Sequence, residues 1–209
     1  MPSVPDALPQ PAIRRYSNLA VTFHWLTVIL VLTQAWLGFT FHGLEPGPQR
    51  LEFFTWHKTV GATILLITLA RLAYRVTNPP PPFSPELPKW ERIAATWNHR
   101  LFYFLLIAMP LSGLTAVSAN EEGATTELAF GIPLPVIPGV SESLGEVAGG
   151  LHEAMVFILI GLIVIHAAAA LKHQFFDRYP ASGRMPPFVP PDGRPVVIGQ
   201  GSSALADDI

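Results

Sequence analysis

The stretch LHEAMVFILIGLIVIHAAAALKH, residues 151–173, decides the fold. It is almost uninterrupted in apolar character and close to the roughly 20 residues a helix needs to cross a bilayer's hydrocarbon core. Yet it carries His152 and His166, and an ionisable side chain at membrane depth calls for a partner. At about 100° per residue, positions fourteen apart return to within roughly 40° of the same helix face and lie about 21 Å apart along the axis. Both imidazoles therefore look the same way, one near each side of the membrane. A helix so built can offer one axial ligand to each of two stacked haems, and it asks the other helices for two more histidines.

The composition agrees with a membrane setting. The chain has 209 residues, of which 50% are hydrophobic and only 13% charged, and its mean hydropathy is +0.38, too apolar for an ordinary soluble domain. The absence of cysteine excludes a thioether-attached haem, a cysteine-held iron–sulfur cluster, disulfides and a thiol nucleophile. Any haem must be held by histidine or methionine. No nucleic-acid partner is expected. The opening MPSVPDALPQP lacks the basic-then-apolar order of a cleaved signal peptide, so the first span is expected to be retained.

Working outward from residues 151–173, three more spans are expected. Arg14 and Arg15 precede an apolar run over residues 19–41 that contains His24. A turn-rich break, HGLEPGPQR, leads into a second span over residues 53–77, with Arg71 and Arg75 towards its end. Four prolines at 79–82 cannot continue a helix and form an extended connector. The helix restarts around residues 88–95, and the third span covers 101–119, with a kink expected at Pro110. Residues 120–150 read as a loop with five Glu and no Lys or Arg. The result is an all-α, integral membrane four-helix transmembrane bundle over residues 16–176. It is flanked by a disordered N-terminal tail, 1–15, and a flexible C-terminal tail, 177–209.

Basic residues at the span ends set the orientation. With the N-terminus inside, Arg14, Arg15, Arg71, Arg75, Lys89, Arg92, Arg100, Lys172, Arg178, Arg184 and Arg194 are all inside, and only Arg50 and Lys58 are outside. Both termini are thus expected to be cytoplasmic. The five Trp fall near the span ends, as an aromatic belt requires.

This topology gives each histidine a depth. His24 and His166 are level near the inner side, and His57 and His152 are level near the outer side. Each pair can close a six-coordinate iron with two neutral imidazoles. The fourteen-residue step recurs, from His24 to Gly38, His57 to Arg71 and His99 to Gly113. A glycine there, like Gly61 one turn beyond His57, leaves room for a flat macrocycle or for close helix packing. Arg71 faces the bundle where a haem propionate would pair with it, or else snorkels to the inner surface. His99, at the inner boundary, reads as a propionate or supporting partner. His42 and His173 read as exposed or interfacial, and Lys58 and Arg50 could meet outer propionates or an anionic substrate.

Several motifs match one known pattern in order and spacing. HW at His24 and Trp25, WHKTVG at residues 56–61, LARLAYR ending in Arg75, NPPPP, PLSGL at residues 110–114, and LHE followed by IHAAAALKH resemble the bacterial cytochrome b561 family. The similarity covers about residues 15–176. The resemblance implies two non-covalent b-type haems held by helices one, two and four, here on His24, His57, His152 and His166, in a bacterial inner membrane. It also implies electron exchange with ubiquinone, with superoxide or a redox protein as the other partner. The acidic outer loop would repel superoxide unless Lys58 and Arg50 dominate locally. Two other functions compete. A membrane anchor cytochrome of a dehydrogenase or hydrogenase would use the same histidines, and a transporter would use them to bind a metal or relay protons.

Overall fold

In a bilayer no water satisfies the backbone, so long apolar segments close their hydrogen bonds internally and become helices. In the computed structural model, which describes residues 12–83, 87–121, 123–177, 184–188 and 195–198, they do so four times. The helices are α1 (Asn18–Gly43), α2 (Pro48–Thr77), α3 (Lys89–Ser118) and α4 (Glu142–Lys172). All four are long and apolar enough to cross a membrane. Their outward faces are greasy: Leu32, Leu66, Phe157 and Val164 are each at least 60% exposed, as suits contact with lipid. The chain is an all-α four-helix transmembrane bundle.

Local signals fix the ends. Ser17 caps α1, its hydroxyl accepting from the Ala20 amide at 3.2 Å, and Pro48 stands at the start of α2. The helix restarts at Lys89, within the expected residues 88–95, and α3 runs from there to Ser118 with Pro110 inside it. The loop expected over residues 120–150 is corrected at its end, because α4 begins at Glu142. Ser141 accepts from the Leu144 amide at 3.3 Å, and Gly145, Gly149 and Gly150 continue the helix instead of breaking it. Gly145 suits close packing: a Cβ there would stand 2.3 Å from the Ala119 Cβ.

α1 packs chiefly on α2 and α3 chiefly on α4, giving two helical hairpins face to face. Their shared core is one apolar layer of Ile64, Leu105, Leu106 and Leu159, flanked by Val31, Val60, Phe102 and Met155. The termini lie on one side of the bundle, and the α1–α2 and α3–α4 loops on the other.

Short strands finish the two ends. β1 (Ile13–Arg15) pairs in parallel with β4 (Val196–Ile198), while β2 (Thr125–Glu127) and β3 (Pro133–Pro135) form an antiparallel hairpin on the loop side. The β1–β4 pair differs from the expectation of unstructured tails at those residues; most of the remaining tail positions lie outside the described residues. Arg184 explains the return of the chain. Its carbonyl accepts from the Tyr16 amide at 3.1 Å, its guanidinium donates to the Pro81 carbonyl, and it lies over the Tyr16 and Phe83 rings. Trp25 adds a 2.7 Å bond from its indole to the Pro186 carbonyl.

The contact at Gly145 makes a prediction. Gly145→Val must push α3 and α4 apart at their loop-side ends, costing about 1–3 kcal/mol. Gly150→Ala meets nothing within 4 Å and should be neutral or slightly stabilising. Thermal melts in detergent followed by circular dichroism will separate the two; equal melting temperatures would refute the close approach.

Candidate functional site

The histidine faces follow from the fourteen-residue step. On α2 the buried positions Gly61, Ile64 and Thr68 form one stripe, and His57 and Arg71 extend it at either end. On α4 His152 and His166 lie two turns to either side of buried Leu159.

Four histidines meet as two pairs on two levels. On the terminal side the His24 ring of α1 lies 6.3 Å from the His166 ring of α4, centroid to centroid, inclined at 60°. On the loop side the His57 ring of α2 lies 6.1 Å from the His152 ring of α4, inclined at 72°. Two imidazoles that ligate one metal from opposite sides, each through a bond of about 2.0 Å, have centroids about 6 Å apart. The backbones fit this too. α4 scarcely touches α1 or α2, so the paired rings reach across a gap wider than ordinary helix packing leaves.

Hydrogen bonds aim the rings. His152 Nδ1 lies 2.9 Å from the Met109 carbonyl. A carbonyl only accepts, so Nδ1 carries the proton and Nε2 keeps its lone pair for a metal. The Ser112 hydroxyl donates to the same carbonyl at 2.8 Å. His166 has Asn98 at 3.3 Å from its Nδ1, with Phe102 and His99 rings at 5.5 Å and 5.6 Å. One contact competes with ligation: the Gln34 amide nitrogen lies 3.0 Å from His57 Nε2. Releasing it costs about one neutral hydrogen bond, about 1 kcal/mol.

The glycines serve the rings. A Cβ at Gly38 would stand 3.1 Å from His57 Cε1, and one at Gly113 would stand 3.2 Å from His152 Cε1 and Nδ1. These two glycines therefore make room for the imidazoles themselves, from α1 on one flank and α3 on the other. Gly61 instead faces Gln34 at 3.1 Å.

Arg71 lies within electrostatic reach of His24, His99 and His166, with its guanidinium over the Tyr103 ring at 5.7 Å. Its charge is thus turned to the terminal-side tier and not only to the surface. His99 donates from Nδ1 to the Ala95 carbonyl at 2.6 Å. Lys58 is engaged by the hairpin: its ammonium donates to Thr126 at 2.7 Å, and Glu121 and Glu127 act on its charge. Next to it Thr59 accepts from the Ala129 amide at 2.8 Å, and Trp56 meets Phe130 edge-on at 5.4 Å. His42 is exposed. His173 lies 3.7 Å from a carboxylate oxygen of Glu91, which Lys172 meets at 3.3 Å.

Gln34, Asn98, Ser112 and Glu91 are absent from the sequence-derived set. Gln34 was visible as a lone amide in an apolar span; Asn98 stood beside His99 without any periodic signal. Among the described residues no group of three or more His, Asp or Glu side chains is gathered to hold a bare metal ion.

A membrane bundle with two levels of paired imidazoles is the architecture of a haem-carrying electron-transfer protein. Residues 15–187 match the family model for prokaryotic cytochrome b561, and the chain belongs to that family; it is a membrane b-type cytochrome of electron transfer. It is 28% identical over 178 residues to "Cytochrome b561 homolog 2" of Escherichia coli (strain K12), covering 82% of this chain and 90% of that one. It is 26% identical over 162 residues to "Probable superoxide oxidase CybB" of Yersinia pestis, covering 78% and 90%. "Cytochrome b561 homolog 1" of E. coli (strain K12) is 26% identical over 176 residues, covering 84% and 98%.

The glycine cradles can be tested directly. Gly38→Val and Gly113→Val should each displace a loop-side imidazole and perturb the low-spin ferric haem signals in electron paramagnetic resonance. Gly161→Val, with nothing within 4 Å, should leave them unchanged. Identical spectra in all three would show that the cradles do not matter.

Proposed function

We propose that this chain is a dihaem cytochrome that carries single electrons across a bacterial inner membrane, between a partner on the loop side and ubiquinone on the terminal side. His24 with His166 and His57 with His152 are the two axial pairs. The observation that carries this reading is the pair of ring separations, 6.3 Å and 6.1 Å, on two levels. The iron, when bound, supplies the one-electron couple. The chain's own residues do the rest: His152 is held in one tautomer by Met109, Gly38 and Gly113 leave the loop-side rings their space, and Arg71 counters propionate charge on the inner tier.

Between the tiers sits the apolar layer. Val31, Ile64, Leu106 and Leu159 each lie seven residues from both ends of the fourteen-residue step on their helices, and all belong to the core cluster or pack against it. An ion would need water to cross there. An electron does not. Excess Lys and Arg at the terminal-side helix ends supports a cytoplasmic location for that side and for both termini. His99, Arg71 and Arg100 there can meet a quinone head group.

The membrane-anchor alternative shares these ligands, and copurification of a soluble redox subunit would favour it. For the loop-side partner, the relative named as a probable superoxide oxidase supports superoxide. One observation favours a cationic redox protein instead: Lys58 is tied to Thr126 with Glu121 and Glu127 close by, which leaves an acidic face.

Two predictions follow from the axial pairs and the acidic face. A pyridine haemochrome assay should count two haems per chain in the native protein and about one in either His57→Ala or His166→Ala; an undiminished count in both would sink the ligand assignment. Superoxide, if it is the donor, should reduce the haems in a dismutase-sensitive reaction whose rate rises with salt as repulsion is screened. Reduction by a basic redox protein that slows with salt, with none by superoxide, would establish the second reading.

A further inference from the structure

We infer that Asn98 is a positioning residue for His166: its amide oxygen holds the imidazole in the tautomer that can ligate iron, and so helps set the potential of the terminal-side haem. The inference rests on the dihaem reading above.

The amide nitrogen of Asn98 lies 3.3 Å from His166 Nδ1. In that orientation the amide donates, Nδ1 accepts, and the ring proton must sit on Nε2, where it blocks a metal. The other end of the same amide, Oδ1, is buried and has no hydrogen-bond partner. Nitrogen and oxygen of a carboxamide have nearly the same size and shape, so a half-turn exchanges them without disturbing the packing. After it, Oδ1 accepts from Nδ1–H, Nε2 presents its lone pair, and the amide nitrogen takes the buried position that Oδ1 held.

The other neighbours do not provide this acceptor. Phe102 packs on His166 as a ring at 5.5 Å, and the His99 Nδ1 is already committed to the Ala95 carbonyl at 2.6 Å. His24 lies across the pair at 6.3 Å. The loop-side tier solves the same problem with a backbone carbonyl, that of Met109, which no substitution removes. The two histidines of α4 thus differ in kind: His152 has a main-chain acceptor, His166 a replaceable side chain. An acceptor on Nδ1–H makes the imidazole a stronger donor to iron, which favours the ferric form.

The test is a potentiometric titration of the purified, haem-loaded protein with a haemochrome count on each sample. The terminal-side wave is the one missing from His166→Ala. In Asn98→Ala its ferric–ferrous equilibrium should shift about tenfold towards ferrous, about 59 mV for one electron. In Asn98→Asp, whose carboxylate accepts more strongly, it should shift the other way, and the loop-side wave should stay in place in both. Loss of one haem from Asn98→Ala with retention in Asn98→Asp also supports the role. Two haems with unmoved waves in both variants, shifts of the same sign in both, or haem loss from both would overturn it. A native protein that contains no haem would instead overturn the reading on which this rests.

Discussion

The structure depends on holding two imidazole rings just over 6 Å apart, twice, from helices whose backbones do not pack on each other. Close-packed helices would bring side chains into mutual contact and leave no gap between them. Here α1 rests on α2 and α3 on α4, so each hairpin is stable by ordinary packing, α2 meets α3, and the wider gap from α4 to α1 and α2 is spanned by histidines at two levels. α4 contributes to both levels, which obliges it to repeat its histidine after two heptads. Fourteen residues give a vertical separation of about 21 Å, and the flanking helices adopt the same period. Midway along that period each helix places an apolar side chain: Val31, Ile64, Leu106 or Leu159. In lipid no hydrophobic force draws these together, so their cohesion is van der Waals contact and depends on fit.

Polar groups inside such a bundle must be answered locally. The hydroxyls of Thr27, Thr63 and Ser118 return to carbonyls on their own helices. His152 borrows the Met109 carbonyl, next to Pro110, in the stretch of α3 where the proline withholds one backbone donor. Buried Glu91, 9% exposed, is met by Lys172 and His173 from the end of α4. A buried carboxylate so placed is weak evidence for stability. It does tie the start of α3 to the end of α4, where the small-residue contact at Gly145 no longer reaches.

Much of this was legible in the sequence, for a definite reason. Apolar runs of membrane length report helices directly, and histidine is costly enough at that depth that four of them at two depths point to one purpose. The ring pairs, the fold and the turn of Arg71 toward the terminal-side tier all rest on such one-dimensional signals. What was not legible depends on contacts between helices. Gly145, Gly149 and Gly150 look like loop residues, and the close approach of Ala119 to Gly145 is visible only once α3 is in place. Gly38 and Gly113 were expected on the ligand face, but which group they accommodate required the partner helix. Asn98 and Ser112 carry no periodic mark, because a hydrogen bond between α3 and α4 leaves none in either strand of text. The β1–β4 pairing joins segments nearly the whole chain apart, each too short to signal alone.

The two ends of the bundle are finished in opposite ways, and this bears on direction. On the terminal side Arg71 and Arg75 lie over the Tyr103 ring and Arg100 over Trp97, and the charge of Arg71 acts on His24, His99 and His166. That potential favours added electrons and attracts carboxylates. On the loop side the one lysine beside a ligand is drawn to Thr126 under a hairpin that carries Glu127, so positive charge is quenched at that mouth. A field of this sense makes the terminal-side level the more comfortable place for an electron. Backbone orientation of His152 and side-chain orientation of His166 act on the same balance at shorter range. In the proposed transfer from the loop side, that field would favour the electron's arrival at the terminal-side level, across an apolar layer that an ion would need water to pass.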